Sequence, residues 1–266
     1  MFTGIKPRRM SNFKRHFLTT LTCFLFSFFS FAGDTDSLFF PARPDKNYFK
    51  SYITSTRDVF TAPGNWNKKQ WMVAGSALVY TGSAFLSDDY TREFSQTHRS
   101  FARDNFTKWG VEPLSGLYSM PALGLLYCYG ELKKEPLHQM AALSGVKAYV
   151  ISAGVVNIPK YIFQRHRPFD SDNSFLFEGP FGSFKNTSFV SGHTTVAFAM
   201  AAALSGYYRP RPVVRVVLYS LAGAVALSRI YDNKHWGSDV VGGAFLGFAI
   251  GKMISNKDRK RYKIAF

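Results

Sequence analysis

The sequence predicts an all-α helical bundle embedded in a membrane, and three observations carry that expectation. Apolar segments recur at about 71–86, 114–130, 139–158, 194–208, 213–228 and 240–254, each long enough for a helix of three or more turns. The breaks between them are polar or charged, as at Glu131–Glu135, Tyr208–Pro212 and Ser228–Asp239, with a longer stretch at Lys160–Gly192. No internal repeat, low-complexity tract or strand-rich stretch competes with this pattern.

Composition narrows the class further. The 266 residues are 46% apolar and 19% charged, which excludes a disordered chain and leaves material for a sizeable core. A mean hydropathy just below zero fits several short spans rather than a chain that is mostly span. Lys plus Arg outnumber Asp plus Glu by 33 to 17, a surplus that points to an anionic partner: nucleic acid, an anionic membrane or a phosphate-bearing substrate. Cys23 and Cys128 are the only cysteines, so a disulfide scaffold and a four-thiolate zinc site are excluded.

Taken in order, residues 1–16 are basic and free of acid, Phe17 to Ala32 is largely apolar, and Ser30-Phe31-Ala32 offers small residues for cleavage. Residues 1–32 therefore read as a signal peptide or signal anchor, and the chain as exported. Residues 33–70 are rich in turn formers (Pro41, Pro44, Pro63, Gly64) and read as loop with one short helix. With a non-spanning helix at Trp71–Leu86 and the polar stretch 88–113, they make up a periplasmic N-terminal region, 33–113. Residues 114–254 form the bundle, and 255–266 a basic C-terminal tail. In the last apolar segment Gly243, Gly247 and Gly251 recur every four residues, a register that lets two helix backbones approach closely.

Three clusters interrupt the apolar pattern with chemistry. In Lys160-Tyr-Ile-Phe-Gln-Arg-His-Arg167-Pro168 the two cations lie seven apart, on one face if the segment is helical, and Pro168 marks a stop. They suit an anion, or a basic collar at a membrane interface. In Ser191-Gly192-His193, ahead of an Ala-rich helix, Ser191 is placed to cap, Gly192 admits a close ligand, and the helix N-terminus attracts anions. A capping Ser followed by a half-buried His is the plainer reading of that tripeptide. In Ser228-Arg229…His235…Asp239 the last two are four apart, so the carboxylate can orient the imidazole and leave Nε2 free, or the pair is a surface contact. Arginines around histidines favour an anion over a metal, and neither a metal nor another cofactor is expected.

The three clusters together resemble the type 2 phosphatidic acid phosphatase superfamily, which also contains bacterial acid phosphatases and vanadium haloperoxidases. Its pattern is Lys-x6-Arg-Pro, then Pro-Ser-Gly-His, then Ser-Arg-x5-His-x3-Asp. The first and third stand here unchanged, and the second carries Val190 in place of Pro. The resemblance covers about residues 114–254. It implies a helical bundle in which Lys160, Arg167, Ser191, Gly192 and Arg229 bind phosphate. It also implies that His235, oriented by Asp239, attacks phosphorus to form a phosphohistidine while His193 protonates the leaving oxygen. His166 has no place in the pattern and reads as a loop contact; His98 and His138 have nothing beside them that suggests chemistry.

The expected function is a metal-independent phosphatase at a membrane, removing phosphate from a phosphatidate-, isoprenyl- or lipid A-like lipid at the periplasmic face, without a nucleic-acid partner. A soluble periplasmic acid phosphatase of broad specificity is the nearest rival, and a vanadate-dependent haloperoxidase a third reading. With spans at 17–32, 114–130, 139–158, 194–208, 213–228 and 240–254, all three clusters face outside. Sixteen Lys and Arg then lie inside against six in the short outside segments.

Overall fold

Alanine and glycine decide where these helices can go, because a helix without bulky side chains can be approached to backbone contact. A computed structural model describes residues 43–261, and the described residues form helices and loops with no β-sheet. In chain order the helices are α1 (Lys46–Thr61), α2 (Lys68–Ala84), α3 (Asp88–Thr97), α4 (Phe101–Phe106), α5 (Ser119–Leu132), α6 (Pro136–Val155), α7 (Asn157–Phe163), α8 (Gly192–Ser205), α9 (Pro212–Tyr231) and α10 (Gly237–Arg261). A π turn at Thr107–Val111 and a 3-10 turn at Glu112–Ser115 join α4 to α5. The expected signal segment, 1–32, lies outside the described residues.

Helix α8 is the axis, packed against α6, α9 and α10. Ala199, Ala202 and Ala203 have no exposed surface, and Ile151, Val155, Ile250 and Ile254 close around Ala199 and Ala203. The glycine register of the sequence forms its contact with α10. A Cβ at Gly247 would stand 2.1 Å from the Thr195 carbonyl oxygen, one at Gly251 2.1 Å from that of Ala199, and one at Gly243 2.8 Å from that of Ser191. Each figure is far inside van der Waals contact, so only glycine fits.

Several elements differ from the sequence expectation. Helix α1 has sixteen residues rather than being one short helix in a loop, and it is begun by Asp45, whose side chain accepts from the Tyr48 amide. Helix α10 runs on to Arg261 instead of ending at 254, because Asp258 is needed inside the bundle. There its two carboxylate oxygens receive Lys147 Nζ from α6 at 2.7 and 3.0 Å, both side chains being buried. The Tyr48 ring lies 5.2 Å from that ammonium. Lys147 is a strange residue for an apolar helix until this partner, 111 positions away, is seen.

Residues 58–88 are laid along α10, whereas residues 95–112 reach the end of α9, with Gln96 and Ser100 bonded to Tyr231 and Thr107 to Asp232. Asp58 of α1 pairs with Lys257, Tyr80 of α2 packs edge-on against Phe245 at 6.0 Å, and Asp88 of α3 accepts from the Ser238 amide at 2.8 Å. From Ser238 to Lys257 is about 28 Å of helix axis, close to the thickness of a bilayer's hydrocarbon core. Helix α2 therefore travels nearly the length of α10, with Leu78 and Val79 mostly exposed. Among the described residues, three segments are long and apolar enough to cross a membrane: Pro136–Phe163, Pro212–Tyr231 and Gly237–Arg261.

Gly247→Ala is expected to lower stability by about 1–3 kcal/mol or more, because the methyl group meets a backbone carbonyl that cannot rotate away. Gly223→Ala on α9, where no atom lies within 4 Å of the added carbon, is the control and should change little. Thermal midpoints in detergent decide between them.

Candidate active site

The α8–α10 contact brings the start of α8 against the start of α10, and the site is built there. The Ser191 amide donates to the Asp239 carbonyl oxygen at 3.0 Å. Ser191 occupies the N-cap position of α8, but its side chain makes no capping bond; its Oγ accepts from Thr194 Oγ1 at 3.0 Å. At Gly192 an added Cβ would stand 3.5 Å from Lys160 Nζ. Lys160 is thus poised over the N-terminal amides of α8, where an anion is favoured. His193 follows in the first turn with its ring half-exposed.

Lys160 and Arg167 reach this place by different means, contrary to the expectation of one helical face. Helix α7 ends at Phe163, and Gln164 turns the chain in the left-handed region (φ 43°). Its buried side chain holds that turn: Nε2 donates to the Gly179 carbonyl and Oε1 accepts from the Phe184 amide, both at 2.5 Å. Lys160 therefore lies on the helix, whereas Arg167 comes from the loop beyond it, its Nη2 3.4 Å from Thr187 Oγ1.

His235 also sits outside a helix, in the turn before α10, and is 4% exposed. Its Nδ1 is 3.6 Å from Asp239 Oδ2, an ion-pair distance too long for a hydrogen bond. That oxygen instead accepts from Ser188 Oγ at 2.5 Å and from the Trp236 amide at 2.9 Å. Burial holds the His235 imidazole below the usual histidine range, against the opposing pull of Asp239. At neutral pH the ring is uncharged and can act as a nucleophile.

Arg229, in the last turn of α9, is 2% exposed and already engaged. Nη1 donates to Glu112 Oε1 at 2.9 Å, Nη2 to Asp232 Oδ2 at 2.8 Å, and Nε to Ser228 Oγ at 3.2 Å. Glu112 Oε1 also lies 3.8 Å from His193 Nε2. Burial pushes the Glu112 carboxyl up, but the bond to Arg229 and its charge outweigh this and hold it below its ordinary value. His193 is depressed to about 4 by its enclosure and then by the charge of Arg229. Glu112 accordingly occupies, beside Arg229 and His193, ground that an anionic ligand would contest.

All eight residues singled out from the sequence border this one region. Four neighbours were not foreseen: Glu112, Ser188, Asp88 and Arg165. Asp88 offered a faint signal as half of an acidic pair closing an apolar segment; Arg165 stood unremarked between the two cations of the first cluster. Glu112 and Ser188 offered none. The other histidines are engaged elsewhere. His138 is buried between Tyr208 and Glu135, His98 sits against its own helix, and His166 bonds Glu178 and Asn186 in the loop. Among the described residues no group of three or more His, Cys, Asp or Glu could hold a metal ion.

Residues 141–263 match the model of the PAP2 superfamily. Lipid A 1-phosphatase of Porphyromonas gingivalis is 36% identical over 112 residues, which are 42% of this chain and 22% of that protein. The fold resembles the crystal structure of the first transmembrane PAP2-type phosphatidylglycerolphosphate phosphatase, from Bacillus subtilis, with a TM-score of 0.54 over 82% of this chain and 98% of that one. At 16% identity this is a likeness of fold.

Glu112→Gln should tighten binding of inorganic phosphate several-fold, because it removes a carboxylate that competes for Arg229. It should also lower the His193 pKa further. Calorimetric titration with phosphate and the histidine signals in NMR read the two effects; weaker phosphate binding would show that Glu112 supports the site instead.

Proposed function

We propose that this chain, whose residues 141–263 carry a PAP2-superfamily domain, is a membrane phosphatase that removes phosphate from a lipid phosphate. A glycolipid phosphate of the lipid A kind is the first substrate to try, given the relative's activity. The observation that carries this reading is the convergence of Lys160, Arg167, Arg229 and the free N-terminus of α8 on one place, with His193 and buried His235 beside it. Three cations and a helix N-terminus neutralise the equatorial oxygens of a phosphoryl group in flight without a metal.

His235 Nε2 attacks phosphorus, the N–P bond forming as the bond to the lipid oxygen breaks, and His193 delivers a proton to that oxygen. Neutral His193 then takes a proton from water, whose oxygen displaces His235 and releases inorganic phosphate. Asp239 faces Nδ1 and steadies the positive charge that the ring acquires. With its pKa depressed to about 4, His193 is neutral at pH 7, so its proton must enter with the substrate. Above the second phosphate pKa, about 6, kcat/KM should fall towards tenfold per pH unit; at the acid end it should hold until His235 protonates, below the ordinary histidine range. A flat alkaline limb would remove His193 from the acid role.

His235→Ala should abolish turnover, on the order of 10³-fold or more, with His193→Ala nearly as severe and Lys160→Ala milder. Vanadate, which takes five-coordinate geometry readily, should inhibit, and EDTA should not. Release of phosphate from a panel of purified lipid phosphates is the primary assay. Halide oxidation dependent on added vanadate would instead favour the haloperoxidase reading.

The contacts along α10 support a topology in which α2 also crosses the bilayer, with α1 inside and the site on the periplasmic face. This reading departs from the expectation that residues 33–113 lie wholly outside. An export-dependent reporter fused after Gly64 should be silent and one after Asp172 active. Activity at both would restore the earlier arrangement.

A further inference from the structure

Arg165 has no exposed surface, and every one of its donors is used. Nη1 donates to Asp239 Oδ1 at 2.6 Å and to Ser238 Oγ at 2.7 Å; Nη2 donates to Asp88 Oδ2 at 2.7 Å and to the Ser174 carbonyl at 2.5 Å; Nε donates to that carbonyl at 2.9 Å. Phe85, Phe177 and Trp236 cover its guanidinium, with ring centres at 4.4, 5.3 and 5.3 Å. Asp88, equally buried, takes the Ser238 amide at 2.8 Å and the Ser238 hydroxyl at 2.5 Å as well. Water is thus excluded from a chain of charges that runs Asp88, Arg165, Asp239, and ends facing His235.

We propose that Asp88 and Arg165 are positioning residues for His235, acting through Asp239. Their arrangement divides Asp239 between two tasks. Arg165 holds Oδ1, so the carboxylate cannot rotate, and Oδ2 is left for Ser188, the Trp236 amide and the imidazole. A buried arginine shared by two carboxylates also sets how much negative charge the imidazole feels. With Asp88 in place, Arg165 neutralises Asp239 only in part. Asp239 therefore keeps enough charge to favour the cationic ring that forms when His235 is phosphorylated. The inference rests on the phosphatase reading for its catalytic meaning, but the electrostatic link itself does not.

Other titratable groups bear on His235: Lys160 from α7, Arg167 from the loop and His193 from α8, and Arg229 from α9 bears in turn on Arg167 and His193. Glu112 and Asp232 offset Arg229. None of them touches Asp88 or Arg165, so substitutions at the clamp isolate its contribution. Asp88→Asn removes a negative charge and frees Arg165 to neutralise Asp239 more fully. Protonated His235 then loses support and its pKa falls. Arg165→Met removes the cation and should move the pKa upward. Arg165→Lys keeps the charge while losing the fork; it should leave the titration near that of the unaltered protein and lower kcat, with KM little changed.

The test is the His235 titration in full-length protein carrying ¹³C-labelled histidine in detergent, the signal being assigned by its loss in His235→Gln. The kcat/KM profile is measured beside it with p-nitrophenyl phosphate. Asp88→Asn should lower the His235 pKa by about half a unit or more, a shift typical of removing one nearby buried charge, and move the acid limb with it. An unchanged or raised pKa in Asp88→Asn overturns the proposal, as does a loss of stability or activity without any titration shift. Should Arg165→Met fail to fold, Asp88→Asn and Arg165→Lys still decide. A protein that hydrolyses no phosphate ester, yet whose His235 responds to Asp88→Asn, would sink the phosphatase reading and leave the clamp standing.

Discussion

The approach of α8 and α10 to backbone contact is the constraint from which the site follows. Gly243, Gly247 and Gly251 leave no room for a side chain between the two helices. Because both helices begin at the same end, their N-termini are forced together, and Ser191 becomes hydrogen-bonded to Asp239 across the contact. Two positive helix ends side by side would repel. They are balanced by carboxylates, Asp239 within α10 and Asp88 against the Ser238 amide. An anion entering over α8 would complete the same balance from the other side.

Around that junction the charges are arranged by depth. Arg165, Asp88 and Asp239 are sealed by aromatic rings and fixed. Arg229 is buried but reaches Glu112, whose side chain is part-exposed. Lys160 and Arg167 stand nearer the opening. The fixed inner charges can orient an imidazole, while Arg229, paired with Glu112 and Asp232, can exchange the part-exposed Glu112 for another anion with little loss of pairing. At Arg229, at least, an incoming anion would replace a carboxylate rather than strip water from a bare cation. The second buried pair, Lys147 with Asp258, lies far along α10 from the junction and ties α6 to the opposite end of that helix, with Tyr48 of α1 against it.

The residues that gather at the site were legible in the sequence because they stand in local clusters. Ser191-Gly192-His193 lies at one helix end, and the run from Arg229 to Asp239 spans one short helix–turn–helix junction, where the chain's own geometry limits where side chains can go. The seam was legible for the same reason, since a four-residue glycine register has only one use on a helix. Even so, local spacing misjudged Lys160 and Arg167. Gln164 breaks the helix between them, held in place by the carbonyl of Gly179 and the amide of Phe184.

By itself, then, the sequence determined the helical class, the eight residues that border the site and the small-residue contact behind it, because each depends on neighbours within a few positions. Only the tertiary structure decided that Asp88 and Glu112, from a region outside the recognised pattern, belong to the site; that Arg165 is locked between two carboxylates; and that residues 58–88 run the length of α10. Those facts rest on partners 74 to 199 residues apart. A buried charge records that it must have a partner, but no spacing along the chain records which one.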